Sequence, residues 1–344
     1  MKVMSMLRGV KTLKEAGEPE VKEVVDATAP VILSGSSGRN LAENIAWALG
    51  SYVYPLQVGR FADGEVEVEI GASLRNRKVF IVETCAAPVH DSIMEIMLLV
   101  DACRRASAAE ITVVAPYLAY SRQDRKARPR SPISAKVVAD MLEGVGVDRL
   151  MTFDLHSGQV QGFYNIPCDN LPGASVLAPE VGKMLMGDDI CIVSTDLTGL
   201  PRAKAFARRL EQDVDIAVVD KRRAKGSTVA ETAVLGDVNG RHCILIDDMI
   251  DTATTLVAAA DVLRGAGASA ISMVATHGLF SGDAVRRVAG MGLQNLWVTD
   301  TLPQKEEISG LRGVKIVSVA SLLAECIRRV CYGDSLQEVY DAKF

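Results

Sequence analysis

The 344-residue chain contains no apolar run approaching the ~18–20 residues that span a bilayer, no paired cysteines at metal-binding spacing, and no large excess of either charge. The first absence argues against a membrane-spanning helix, and a net charge of −5 exerts no global pull toward nucleic acid. Cys85, Cys103, Cys168, Cys191, Cys243, Cys326 and Cys331 are scattered, several inside apolar runs. That distribution suits reduced thiols in a cytoplasmic protein and not a disulfide frame. There is no G-x-x-x-x-G-K-S/T loop and no G-x-G-x-x-G opening a helix after a strand, so any ATP use relies on a different cradle. An H-E-x-x-H zinc motif and a nucleophile elbow are also missing. Residues 1–29 are rich in Lys and Glu and lack the apolar core of a signal peptide; Glu15, Glu18, Glu20 and Glu23 argue against a transit peptide. They read as a polar extension.

What is present is a soluble globular composition, 49% hydrophobic and 24% charged, in a chain long enough for two domains. Short apolar strands alternate with longer helical segments from Val31 onward, the pattern of an α/β fold with mainly parallel sheets. Strands are expected at Ala29–Leu33, Lys78–Glu83, Ile111–Ala115, Arg149–Phe153, Ile190–Ser194, Ile216–Asp220, His242–Ile246 and Ile271–Ala275, and helices at Gly38–Gly50, Ser92–Ala106, Ser134–Glu143 and Thr255–Gly267. Arg77-Lys-Val-Phe-Ile-Val-Glu83 resembles Arg241-His-Cys-Ile-Leu-Ile-Asp247, and Ser34-Gly35 mirrors Ser194-Thr195-Asp196. Offsets of about 160–164 residues argue for two copies of one α/β unit. The join falls near Pro172 and Gly173, giving an extension (1–29), a first domain (30–172), a second (173–325) and a C-terminal helix or tail (326–344).

The most informative stretch is Ile244–Leu256, I-L-I-D-D-M-I-D-T-A-T-T-L. An apolar strand pattern ends at the pair Asp247-Asp248; Asp251 and the hydroxyls of Thr252, Thr254 and Thr255 follow, and then helical periodicity resumes. A loop opening onto a helix N-terminus cradles anions, and acids beside it suit sugar hydroxyls. A lone Asp-Asp pair would more often be a polar turn with a helix cap; the ordered set favours a sugar-phosphate site. Arg122–Arg130 carries five basic residues in nine positions, enough to neutralise a polyphosphate, though a solvated basic loop has the same look. Phe153-Asp-Leu-His156 and Ile192-Val-Ser-Thr-Asp196 end strands where open α/β sheets bind ligands. His156 and Asp196 could share a hydrated magnesium, which needs few protein ligands; a structural His and a helix-capping Asp are the plainer alternatives. Val219–Gly226 leaves a strand into a basic loop able to close over a phosphate, or an ordinary exposed turn. Arg60–Glu65 is a hairpin turn whose Phe61 could stack on a base while Asp63 or Glu65 accepts from an exocyclic amine.

Taken in order, R-F-A-D-G-E (60–65), Y-S-R-Q-D-R-K (120–126) with R-S-P-I-S-A-K (130–136), D-L-H-S-G-Q-V-Q-G-F (154–163), D-K-R-R (220–223) and I-D-D-M-I-D-T-A-T-T-L (246–256) resemble the ribose-phosphate pyrophosphokinases, or phosphoribosyl pyrophosphate synthetases. The likeness runs from about Val31 to the C-terminus. It implies two tandem phosphoribosyltransferase-like (type I) domains and transfer of the diphosphoryl group of Mg-ATP to C1 of ribose 5-phosphate, giving phosphoribosyl pyrophosphate and AMP. By position, the resemblance assigns Phe61, Asp63 and Glu65 to adenine, partly from a neighbouring subunit, and Arg122 and Gln123 to ATP. It assigns His156 and Asp196 to magnesium, Asp247, Asp248 and Asp251 to ribose, and Thr252, Ala253, Thr254 and Thr255 to the 5-phosphate. Lys221 and Arg223 are the catalytic pair it implies. It further implies a homo-oligomer, a hexamer built from dimers, with phosphate and ADP as effectors near Gln161, and neither nucleic acid nor membrane as partner.

Several residues depart from the family pattern. Thr254 and Thr198 replace usual glycines, Thr195 a usual proline, Ala127 an acid and Ala62 a frequent serine. Thr254 matters most, because glycine permits unusual φ. Thr254 and Thr198 keep open a non-catalytic regulatory homologue that assembles with active subunits. A type I phosphoribosyltransferase, which consumes the product, is disfavoured by the ATP-type segments at 61–65 and 122–126.

Overall fold

In the computed structural model, residues 29–210, 212–223 and 230–341 are described, with backbone alone at 221–223 and 230–232. Apolar, β-branched runs make the buried strands, as parallel sheets covered on both faces require. The first half contains β1 (Val31–Ser34), α1 (Arg39–Ala48), β2 (Leu56–Arg60), β3 (Val66–Ile70), β4 (Lys78–Val82), α2 (Val89–Arg105), β5 (Glu110–Val114), α3 (Ser134–Val145), β6 (Arg149–Phe153), a 3-10 helix (Gly158–Phe163) and β7 (Cys168–Leu171). The second contains α4 (Ala174–Met184), β8 (Ile190–Ser194), α5 (Leu200–Ala207), β9 (Asp215–Arg223), β10 (Ala230–Leu235), β11 (His242–Ile250), α6 (Thr254–Gly265), β12 (Ala270–Gly278), α7 (Ala284–Gly290), β13 (Leu296–Thr299), α8 (Glu306–Ser309) and β14 (Val314–Val317). Helices α9 (Ala320–Tyr332) and α10 (Gln337–Asp341) follow.

Five parallel strands in the order β1-β4-β5-β6-β7 form one sheet. Seven form the other, β10-β9-β8-β11-β12-β13-β14, parallel except for the β9–β10 pair. The order of the first sheet therefore recurs as β8-β11-β12-β13-β14, with the separate antiparallel hairpin β2–β3 standing where β9–β10 stands in the second. The internal repeat is one of topology as well as of sequence. One apolar cluster joins the halves, with Ile32 and Phe80 from the first, Ile192 and Trp297 from the second, and Ile327 of α9. Helix α9 packs back on α1 and runs across the division expected at 325. Among the described residues no helix is long and apolar enough to cross a membrane. Cys85, Cys103, Cys191, Cys243 and Cys326 are buried free thiols.

Three strands run well past the ends that the sequence suggests, β12 among them, which continues from Ala275 to Gly278. β11 does not stop at Ile246 but continues through both aspartates to Ile250, because β12 goes on pairing with it: Asp247 sits opposite Ala275 and Met249 opposite His277. β9 reaches Arg223, so Lys221 and Arg223 belong to a strand paired with Thr232 and Ala230 and not to a loop. Residues 224–229 of that expected loop, like residues 1–28 of the expected extension, lie outside the described residues.

Candidate active site

At β8 and β11 the chain order of the second sheet reverses, and open α/β sheets bind ligands beyond the carboxyl ends of strands at such a point. Pairing of β11 with β8 ends at Ile246 opposite Ser194. Asp247 and Asp248 come immediately after, with a strand on one side and open space on the other. A cleft of about 930 Å³ opens there. The second half lines it with Asp196, Thr198, Arg202, Asp247 and Asp248, and the first half with Arg122, Gln123, Arg125, Arg128 and His156.

The acids carry most of the electrostatic structure. Asp248 is 3% exposed, and its Oδ2 lies 2.8 Å from His156 Nδ1. Arg202 stands 3.5 Å from Asp248 Oδ1 and 3.8 Å from Asp247 Oδ1. Thr195 Oγ1 donates to Asp247 Oδ2 at 3.0 Å. Burial raises the Asp247 carboxyl and the neighbouring Asp248 adds to the rise. Against the burial that opposes it, the His156 hydrogen bond and the Arg202 charge hold Asp248 low. The Asp248 bond in turn lifts the His156 imidazole above its usual value. The pair thus divides into an acid that keeps its proton readily and one that stays ionised, as two close carboxylates must.

Arg122 Nη1 crosses between the halves to Asp251 Oδ2 at 2.7 Å. Partial burial opposes ionisation of Asp251, yet bonds from Ser281 and Arg122 hold its carboxyl low. Gln123 is anchored by the Ser134 hydroxyl at 2.6 Å. The loop Asp251–Thr255 does not line the cleft; the Arg122 pair ties it alongside. Ala253, not Thr254, carries the left-handed backbone, with φ 60°. Thr254 opens α6, so the expected conflict between a β-branched residue and unusual φ does not arise. The Thr252 and Thr254 hydroxyls lie 3.2 Å apart, and Arg287 Nη1 donates to the Thr252 carbonyl at 2.8 Å.

Of the residues expected at a site, the cleft gathers Arg122, Gln123, His156, Asp196, Asp247 and Asp248. Phe61, Asp63 and Glu65 are all exposed on the β2–β3 turn and do not line it; Asp63 Oδ1 accepts the Glu65 N–H at 3.1 Å. Gln161 is exposed in the 3-10 helix, also outside the lining. The side chains of Lys221 and Arg223 lie outside the described residues. Arg202 was not among the expected site residues. Its signal was a basic side chain in the first turn of the helix that follows a strand-end aspartate. Thr195 and Arg287 were likewise not picked out as site-forming residues.

A magnesium ion suits the donor set. His156 commits Nδ1 to Asp248, and Asp196 Oδ1 accepts from Thr198 Oγ1 and the Gly199 N–H, both at 2.7 Å. Each keeps one donor atom. Among the described residues no group of three His, Cys, Asp or Glu forms a metal cluster. His156 and Asp196 would both hold a hydrated Mg2+, which needs few protein ligands.

Comparison with known proteins places the chain in a family. Residues 30–146 match the model of the N-terminal domain of ribose phosphate pyrophosphokinase, and residues 227–341 match the phosphoribosyl synthetase-associated domain. A ribose-phosphate pyrophosphokinase of Haemophilus ducreyi is 45% identical over 312 residues, covering 90% of this chain and 98% of the relative. One from Pasteurella multocida is 43% identical over 310 residues, covering 90% and 98%. The crystal structure of phosphoribosylpyrophosphate synthetase from Mycobacterium smegmatis superimposes with a TM-score of 0.83 at 36% identity, over 88% of this chain and 99% of that one.

Proposed function

The chain belongs to the ribose-phosphate pyrophosphokinase family, and from that premise we propose that its cleft transfers the diphosphoryl group of ATP to ribose 5-phosphate. The observation that carries this reading is the composition of the cleft. A pair of acids that suits ribose hydroxyls faces a cluster of arginines that suits a polyphosphate, and the two come from different halves. In the reaction the C1 hydroxyl oxygen of ribose 5-phosphate forms a bond to the β-phosphorus. The bond from that phosphorus to the bridging α-oxygen breaks, AMP leaves with the oxygen, and the hydroxyl proton passes to solvent.

Such a transfer depends on alignment and charge neutralisation more than on a strong base. Asp247, Asp248 and Asp251 orient the sugar, and Thr252–Thr255 with the α6 N-terminus receive its 5-phosphate. Arg122 and Gln123 hold the ATP phosphates, for which Arg122 must leave Asp251. Lys221 and Arg223 add positive charge at the reacting phosphate. A hydrated Mg2+ held by His156 and Asp196 would neutralise diphosphoryl oxygens. Phe61, Asp63 and Glu65 are exposed and do not line their own chain's cleft, which supports adenine binding in a neighbour's cleft and hence a homo-oligomer, a hexamer built from dimers. Phosphate and ADP act as effectors near Gln161, and the enzyme works in the cytoplasm, without nucleic acid or membrane. The division into 30–172 and 173–325 belongs to the same reading. The regulatory-homologue alternative drew on Thr254 and Thr198; the ordinary helical backbone of Thr254 weakens the first ground, while Thr198 stays in the cleft with its hydroxyl on Asp196.

The deciding assay mixes purified protein with ATP, Mg2+ and ribose 5-phosphate and follows AMP. Wild type should release AMP well above a Lys221→Ala control; equal release by the two would refute the proposal.

A further inference from the structure

Two residues before His156, the first half is pinned to the second. Asp154 follows β6 with φ 28°, on the left-handed side that non-glycine residues seldom adopt. Its Oδ2 accepts the Gly173 N–H at 3.0 Å and a short bond from the Thr276 hydroxyl of β12. A Cβ on Gly173 would come within 2.3 Å of Thr276 Oγ1 and 2.8 Å of Asp154 Oδ2, so a side chain there would force the three apart. The next residue of β12, His277, is 2% exposed. Its Nε2 lies 3.2 Å from the Phe153 carbonyl oxygen and its Nδ1 3.0 Å from Thr301 Oγ1. A carbonyl only accepts, so Nε2 bears a hydrogen. Burial lowers the imidazole pKa and so favours the neutral ring. Tyr117 meets the ring edge-on at 5.0 Å, and Thr84 Oγ1 donates to the Thr301 carbonyl at 2.7 Å. His277 also pairs in register with Met249, the residue after Asp248. One grip thus holds the segment leading to His156 and the strand pair bearing Asp247 and Asp248.

We propose that Asp154, Gly173, Thr276 and His277 form a positioning joint that sets His156 against Asp248 across the two halves. None of the four lines the cleft, so their effect on the reaction passes through His156. The inference rests on the cleft being the working site. With the joint loosened, the Leu155–His156 segment and β11 move independently, and a misplacement of about 1 Å costs rate out of proportion to binding.

Thr276→Val removes the hydroxyl at nearly constant shape, Gly173→Ala crowds the junction, and Thr276→Ser restores the donor. In the full-length enzyme, Thr276→Val should lower kcat by about tenfold or more while KM for ATP and for ribose 5-phosphate stays within about twofold. Thr276→Ser should recover most of the loss. The chain has four histidines, so the His156 ring-proton resonance can be identified by its disappearance in His156→Gln. In Thr276→Val and Gly173→Ala it should shift while those of His90 and His242 stay in place. This readout needs no turnover: an inactive wild type would count against the proposed function, while the resonance would still judge the joint. A folded Thr276→Val with unchanged kcat and unchanged His156 resonance would overturn the inference. So would a Thr276→Ser variant as impaired as Thr276→Val. Failure of both Thr276→Val and Gly173→Ala to fold would make the joint a folding element and overturn it equally.

Discussion

Replacing Glu83 by Gln should remove much of the protein's loss of stability on going from mild acid to mild alkali. Glu83 is fully buried and, 164 residues before Asp247, occupies the equivalent place in the first half. Its Oε2 accepts the N–H groups of Ser37 and Gly38 at 3.1 and 3.0 Å, and Oε1 takes a short bond from the Ser37 hydroxyl. Glu95 receives the Ser36 N–H. Burial pushes the Glu83 carboxyl from 4.5 to about 8; the charge of Glu95 adds to the rise, and the bonds from Ser37 and Gly38 resist it. A folded-state value above the unfolded one means that the folded chain binds the extra proton. The associated stability is complete below about pH 4.5 and is lost as pH climbs through about 8. At ~1.4 kcal/mol per pH unit over that window, the loss is on the order of 3 to 5 kcal/mol. In melting temperature that is roughly 4–7 °C for a chain of this length. Gln keeps an acceptor oxygen for the loop N–H groups and does not ionise. The assay is Tm against pH for both proteins, with the difference cancelling every other titrating group. The Glu83→Gln curve should gain on wild type steadily between pH 5 and 9. Curves parallel within about 2 °C would refute the reasoning, since no proton would then be held at Glu83.

Two further substitutions probe the cleft. Arg202→Met removes a cation 3.5 Å from Asp248, an interaction of about 4 kcal/mol at the effective dielectric of such sites. Asp247, already raised, should rise further, so kcat/KM for ribose 5-phosphate should fall at least about tenfold at neutral pH and partly recover as pH increases; a pH profile identical to wild type would count against it. Thr254→Gly replaces the opening residue of α6, at a cost of at most about 1 kcal/mol in stability. Activity should remain intact or rise, whereas a large loss of ribose 5-phosphate affinity would show that the Thr254 hydroxyl is itself a ligand.

Much of the sheet was legible because buried parallel strands are continuous apolar runs: Arg149–Phe153 and Ile190–Ser194 begin and end where the sequence places them. β11 was not, since two carboxylates after Ile246 look like the end of a strand. What extends it is pairing with β12, a contact set by the sheet and invisible in the local pattern. The hairpin β2–β3 does alternate, as Val66-Glu-Val-Glu-Ile70 shows, but the turn between its strands was the more conspicuous feature. At the site, the strand-end residues His156, Asp196, Asp247 and Asp248 were readable because position and chemistry coincide. Arg202 acquires meaning only through partners on another strand. Thr254 was singled out by comparison with the family's usual glycine, yet the helix starts at that residue, and the strained backbone falls one position earlier on Ala253.

The two halves share a strand order but treat the ends of equivalent strands in opposite ways. In the first, the loop after β1 closes over Glu83 and Glu95, which occupy its N–H groups and leave no anion cradle. In the second, Asp247 and Asp248 face an open cleft. The first half contributes to that cleft from elsewhere on its surface, through His156 on Asp248 and Arg122 on Asp251. These two contacts leave the first half from different loops and reach different parts of β11 and the loop beyond it. A rotation between the halves would disturb both contacts, and the apolar cluster that runs through both sheets and α9 opposes it. Duplication alone would have produced two half-sites; filling the first and lending its basic and imidazole groups to the second produces one site whose chemistry neither half contains.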